Sequence, residues 1–519
     1  MDPLSTLDYP REFAPTGLTV ENKDFKSATL AWSAIAGGST NFLLQIYYDS
    51  LVFEDNPLME FNISNEYKYV VTDLNRNTQY SARIKTLAEE GKEESKWRSV
   101  AFKTSKEQIL TGISKVKSQQ ADVSWRAGEA VTHLLFTPGN IEVTLAPEDI
   151  AAGTKHVTGL SSSTNYKVLL YNGELERGNG SFTTLWRPTG ENIKELSLGD
   201  DLLSEVADVN NIGKILILSD GYELNTSVNG TKIAGDMTIM SDPDAEERAK
   251  LSFTLNGGGK TLFTLPATAS LIYFLNLEIE HATTDNGASF IDHQSGDGAC
   301  TIDTFKFENC YVHGFRRAFV RLRDGGNLVK NIIVNNSIFE DFMADGSNGA
   351  FLYDNGTGLF ENIVFTNSSL IKLGDATGGT TVFRLNAGQT THLMMSNCSL
   401  YGVIGGNGTE RFLFQGVSGS TVDFTKCLLT KTNIAGGATK YAHEISAGAT
   451  ISGSGNIKTS DWTASTTTPA KAESQELVGV TAISQSAENI FEDPANGNLK
   501  IKSSAPASVK EIGDPRWRP

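Results

Sequence analysis

The sequence predicts an all-β protein: two small antiparallel sandwiches followed by a parallel β-helix. Three observations predict this. Short alternating strands separated by Gly, Ser and Asn turns fill residues 1–186, one strand-and-corner pattern occurs twice there, and a repeat of about thirty residues runs through the second half. The composition agrees, with 49 Gly against 14 Pro and 39 % hydrophobic residues, as expected of a turn-rich globular chain. At 519 residues the chain is too long for a single core, and three domains are expected.

The first two domains are assigned to residues 1–104 and 105–186. The first carries Leu18-Thr-Val20, Thr29-Leu-Ala-Trp32, Phe42-Leu-Leu-Gln-Ile-Tyr-Tyr48 and then Leu74-Asn-Arg-Asn-Thr78-Gln-Tyr80. The second carries Val123-Ser-Trp125 and Leu160-Ser-Ser-Ser-Thr164-Asn-Tyr166. In Leu-x-x-x-Thr-x-Tyr the tyrosine opens a strand, and its hydroxyl is placed to satisfy backbone just upstream, a tyrosine corner. Trp32 and Trp125 stand 93 residues apart and the two corners 86, each about one domain length.

Residues 187–519 form the third domain. Asn276, Asn309, Asn336, Asn367, Asn397 and Lys426 follow one another at 33, 27, 31, 30 and 29 residues. Apolar side chains sit four before each (Ile272, Phe305, Ile332, Ile363, Leu393, Val422), two before each (Phe274, Phe307, Val334, Phe365, Met395, Phe424) and three after each (Ile279, Val312, Phe339, Leu370, Leu400, Leu429). A further aromatic column is Phe290, Phe319, Phe351, Phe383 and Phe412. Period-2 strands stacked on themselves every thirty residues describe a parallel β-helix rising ~4.8 Å per coil. The Asn column is read as an inward ladder at a bend, satisfying orphaned backbone groups.

Charge narrows the function. With 61 acidic and 44 basic side chains the formal net charge is −17, which argues against nucleic acid as the main ligand. No apolar run of about 18 residues occurs, so no membrane-spanning segment is expected. The opening Met1-Asp2-Pro3-Leu4 lacks the basic and apolar regions of a signal peptide. Four cysteines (Cys300, Cys310, Cys398, Cys427) are too few to staple a chain of this size and lack zinc-ligand spacing. They are expected as buried free thiols, with Cys398 and Cys427 stacked on adjacent coils.

Both front domains resemble fibronectin type III modules, which act as spacers. Arg83-Ile84-Lys85 matches a polygalacturonase motif by letters, but it lies in the strand after the first tyrosine corner. With Tyr9-Pro-Arg-Glu-Phe13-Ala-Pro-Thr-Gly-Leu18 at the front, Phe491-Glu-Asp-Pro494-Ala-Asn-Gly497 and Gly513-Asp-Pro-Arg-Trp517 at the end, the whole chain resembles a Bacteroidetes outer-surface lipoprotein family. That family joins fibronectin type III domains to a right-handed, pectate-lyase-like parallel β-helix encoded in polysaccharide-utilisation loci. The resemblance implies an extracellular-facing protein on the outer membrane, a lipid anchor on a cysteine ahead of residue 1, and a polysaccharide as partner.

Two groups of residues carry candidate chemistry. In Arg316-Arg317-Ala-Phe-Val-Arg321-Leu-Arg323, turning Val320 and Leu322 inward places Arg317, Phe319, Arg321 and Arg323 outward. Guanidinium groups grip uronate carboxylates bidentately and an aromatic ring stacks on a sugar face. Arg384 and Arg411 extend this surface on later coils. The glycan-binding set is therefore Arg317, Phe319, Arg321, Arg323 and Arg384. If the protein is an enzyme, it is a polysaccharide lyase with Arg321, Arg323 or Lys330 as base. The second group, Asp292, Asp297 and Asp303, is a candidate Ca²⁺ site. Its Ile291-Asp292-His293 resembles a pectate-lyase element, with Phe290 where that family carries Trp. Asp341, Asp345 and Asp354 are the weaker hydrolase candidates. The leading expectation is a non-catalytic surface glycan-binding protein, the alternatives being the lyase and a structural or adhesive surface protein.

Overall fold

The computed structural model describes residues 10–519 except 37, 55, 257–258, 283–286, 324, 344–348, 356–357, 375–379, 386–387, 407–410, 435–441 and 465–473. The chain divides into two compact units, Met1–Trp186 and Arg187–Pro519.

The first unit holds two sandwiches. In the first, a three-stranded sheet (Thr16–Lys23, Ala28–Ser33, Lys68–Val71) faces a four-stranded one (Met59–Ser64, Asn41–Tyr48, Gln79–Thr86, Arg98–Lys103) over Trp32, Phe42, Leu44 and Tyr80. The second pairs Thr154–Thr158, Gln120–Trp125 and Leu110–Ser114 with Ile141–Thr144, His133–Thr137, Asn165–Asn172 and Leu175–Thr183 over Trp125, Phe136 and Tyr166. Both tyrosine corners form as expected. The Tyr80 hydroxyl accepts from Asn75 N at 2.7 Å and the Tyr166 hydroxyl from Ser161 N at 2.9 Å. Arg83 packs between aromatic rings, 4.3 Å from Trp97 and 4.8 Å from Tyr47, so its position is structural.

The second unit is the β-helix. Among the described residues its coils build three sheets of ten, ten and nine strands. The first contains Thr268–Leu275, Thr301–Glu308, Leu328–Asn335 and Leu359–Thr366, the second Glu278–His281, Tyr311–His313, Ile338–Phe342 and Ser369–Leu373, the third Ser289–His293, Val320–Leu322, Gly349–Asp354, Thr380–Leu385 and Arg411–Gly416. Neighbouring coils pair in parallel register, for example Phe305 with Ile332 and Ile332 with Ile363. The three apolar columns enter one continuous core, in which Phe274 and Phe307 stack with centroids 4.9 Å apart and ring planes nearly parallel. At the opening end, the helix Leu202–Ala207, capped by Asp201, turns Leu202, Leu203 and Val206 onto this core.

The Asn column sits at the corner between the first and second sheets, but it does not turn inward. All six positions adopt left-handed backbone, with φ between 48° and 56°, a conformation Asn tolerates better than most residues. The amides of the first three stack along the corner, Asn309 Nδ2 donating to Asn276 Oδ1 at 2.8 Å and Asn336 Nδ2 to Asn309 Oδ1 at 3.3 Å. The inward, satisfying role falls one residue later, because the left-handed residue reverses the alternation. Ser337 Oγ accepts from Cys310 N, Ser368 Oγ from Ser337 N and Asn456 Oδ1 from Cys427 N. All four cysteines are free and buried.

A C-terminal strap then returns over the outer face of the second sheet. Ile490, Phe491, Leu499, Ile501 and Val509 pack on Ile371, Tyr401, Leu428 and Ile457. Its last residues clamp the ladder corner. Buried Asp514 accepts from Ser369 Oγ at 2.7 Å, Trp517 Nε1 donates to the same hydroxyl at 2.8 Å, and Arg516 donates to Asn336.

Candidate functional site: an arginine–tyrosine column on the third sheet

On the third sheet, cross-coil register aligns Asp292, Arg321, Tyr353, Arg384 and Gln415. Their neighbours Val320, Leu322, Leu352, Phe383, Leu385 and Phe414 are fully buried, so alternation along each strand turns the column outward. Tyr353 lies between two cations. The Arg321 guanidinium stands 5.0 Å from its ring centroid and that of Arg384 4.9 Å, both within cation–π range.

Arg321 and Arg384 have no ion-pair partner among the described residues, and the Tyr353 hydroxyl and Gln415 amide have no hydrogen bond there. Asp292 is taken by Arg323, which donates from Nε at 2.6 Å and from Nη2 at 2.5 Å. Burial pulls the Arg321 pKa down, and the positive charges of Arg323 and Arg317 add to this against Asp292. Burial and the nearby Arg384 lower Arg411 likewise. The face is thus a partly desolvated band of positive charge on a chain of net charge −17.

The structure brings together Arg321, Arg323 and Arg384 from the expected set, with Arg317 on the turn ahead of Val320. It removes Phe319, which is fully buried and stacks on Phe351 at 5.2 Å. Ala318, Phe319 and Val320 are all buried, because the chain turns a corner there and strict alternation does not apply. Lys330 is also elsewhere, on the first sheet, bonded to Asp303 at 2.5 Å.

The proposed Ca²⁺ ligands do not converge. Asp292 faces out from the third sheet against Arg323, Asp297 caps its own turn by accepting from Gln294 N, and Asp303 belongs to the first sheet. These residues do not fit a shared cation. Among the described residues, Glu278, Glu280 and His313 on the second sheet do gather their ligand atoms within 4.8 Å. Lys250 Nζ already lies 3.3 and 3.0 Å from the two glutamates, so that cluster carries its own cation. Of the hydrolase candidates, Asp341 and Asp354 lie on different sheets and Asp345 falls outside the described residues.

Tyr353 was not anticipated, although a signal for it exists. Arg321, Tyr353, Arg384 and Gln415 succeed one another at 32, 31 and 31 residues, the coil period itself.

Residues 13–101 match the fibronectin type III domain model, residues 221–373 a domain of unknown function (DUF4957) and residues 393–517 a second one (DUF5123). The arginine–tyrosine pair closest to the front, Arg321 and Tyr353, lies in the DUF4957 match, whereas Gln415 lies in the DUF5123 match. The three sheets run without interruption through both. Among solved structures, a two-domain fibronectin type III segment of chicken tenascin is 16 % identical, covering 33 % of this chain and 99 % of that one at a TM-score of 0.22. Chicken CNTN1 FN1–FN3 domains are 16 % identical, covering 34 % and 68 % at a TM-score of 0.17. No curated protein matches the chain. The protein is therefore all-β, with fibronectin type III-like sandwiches ahead of a β-solenoid.

Proposed function

We propose that this protein is a non-catalytic, surface-exposed polysaccharide-binding protein of a glycan-utilisation system, anchored by lipid, with sandwiches as spacers and the third solenoid sheet as binding face. A fibronectin type III sandwich and a β-helix fit a surface carbohydrate-binding or structural protein. The observation that carries the finer reading is the outward column in which Arg321 and Arg384 flank Tyr353 without a carboxylate partner among the described residues. Half-buried guanidinium groups form strong charge-assisted hydrogen bonds to carboxylates or sulfates.

A lyase is the second reading, and one observation favours it: burial and neighbouring positive charge push Arg321 in the direction a base requires. Affinity electrophoresis in gels containing uronate polysaccharides, with ultraviolet absorbance of the same mixtures, separates the readings. Binding predicts retarded migration without new absorbance, and loss of retardation in Arg321→Ala at unchanged melting temperature. Growth of unsaturated product would replace it with the lyase. Free migration in every gel would leave a structural protein.

A further inference from the structure

The column does more than concentrate charge, because its residues alternate. Along the solenoid axis it reads cation, neutral, cation, neutral: Arg321, Tyr353, Arg384, Gln415. Successive members are one strand spacing apart, so the two guanidinium groups lie ~9.6 Å apart, about the length of a disaccharide. Both faces of Tyr353 are covered by those guanidinium groups. The ring is therefore closed to stacking on a sugar and offers only its edge and hydroxyl. At the near end the pattern stops, since Asp292 is neutralised by Arg323. Gln415 at the far end offers an amide, which suits a hydroxyl or an acetamido group.

Resting on the binding reading above, we infer that the ligand is a linear polysaccharide with one acidic group on every second sugar, lying parallel to the solenoid axis. Its acidic groups bind Arg321 and Arg384, and its neutral sugars oppose Tyr353 and Gln415. A chain charged on every sugar sets one carboxylate against the Tyr353 edge, where no cation of its own faces it. A desolvated charge without a partner is penalised, and that penalty produces selectivity.

The test uses the full chain and two probes: hyaluronan, with alternating uronate and neutral amino sugar, and polygalacturonate, acidic throughout. Dextran is the uncharged control. Size-matched oligosaccharides are titrated by calorimetry at one ionic strength. The expected result is tighter binding of hyaluronan fragments than of galacturonate fragments of equal length, despite their fewer charges. Arg321→Ala and Arg384→Ala each weaken hyaluronan binding by about tenfold or more. Because removing one arginine tests charge and not pattern, Tyr353→Arg supplies the second arm, and it is expected to shift preference toward polygalacturonate. Equal or tighter binding of polygalacturonate by the unaltered protein overturns the alternation and leaves the binding reading standing. Equal binding of dextran likewise overturns the alternation, and failure to bind any of the three overturns both.

Discussion

Replacing Ser369 with alanine removes a hydroxyl that the C-terminal strap uses twice. Its Oγ donates to Asp514 Oδ2 at 2.7 Å and accepts from Trp517 Nε1 at 2.8 Å. Asp514 is fully buried, and losing one donor to a buried carboxylate costs roughly 1.5–3 kcal/mol. Trp517 is only partly buried, so water replaces most of its bond and adds less than about 1 kcal/mol. The strap should therefore lose about 2–3 kcal/mol of its closing free energy, read as faster amide exchange across residues 487–517 by roughly thirty- to over a hundredfold. Core amides of the earlier coils should not change. The deficit should also depend on pH. Burial raises the folded-state pKa of Asp514 above its ordinary 3.8, against the pull of Arg516. A raised acid contributes most below its unfolded pKa, and that contribution falls as pH rises through the folded value. As pH falls through that folded value the carboxyl takes up a proton and needs the Ser369 donor less, so the deficit should be smaller at low pH than near pH 7. A loss under ~0.5 kcal/mol, or one equal at both pH values, refutes this account of the clamp.

Three further outcomes are expected. Tyr80→Phe and Tyr166→Phe keep the ring but leave Asn75 N and Ser161 N unpaired; each should lower the denaturation free energy of the front unit by about 1–2 kcal/mol. At Asn309, with φ of 52°, alanine should destabilise the solenoid by about 1–2 kcal/mol in urea unfolding and glycine by less, since only the alanine strains the backbone. A thiol reagent at neutral pH should label none of the four buried cysteines in the folded protein and all four after unfolding. Burial pushes Cys300 and Cys310 up to about 11, which suppresses the reactive thiolate.

Much of the fold was legible because it repeats. Ile272, Phe305, Ile332 and Ile363 recur at fixed offsets from a corner residue, and a parallel register turns such offsets into contacts. The tyrosine corners were legible for a local reason, since the hydroxyl bonds backbone five residues upstream. What misled was the assumption that alternation continues through corners. It placed Phe319 outside, where three consecutive buried residues mark a turn, and it placed the Asn amides inside, where a left-handed residue hands that role to Ser337 and Ser368. Sequence proximity misled in a second way. Asp292, Asp297 and Asp303 are close in the chain, yet a solenoid sends successive segments to different sheets. Tyr353 and Arg321 are 32 residues apart and adjacent in space.

The strap imposes an order on folding. Residues 487–518 are synthesised after the coils they cover, so the outer side of Ile371, Tyr401, Leu428 and Ile457 stays bare while the rest of the solenoid forms. A growing chain thus displays an apolar sheet face for as long as the strap is missing, a signal that chaperones recognise. Closing that face joins residues more than a hundred positions apart, as Ser369 and Asp514 are. Damage to Ser369 or Asp514 should accordingly reduce yield before it alters the fold.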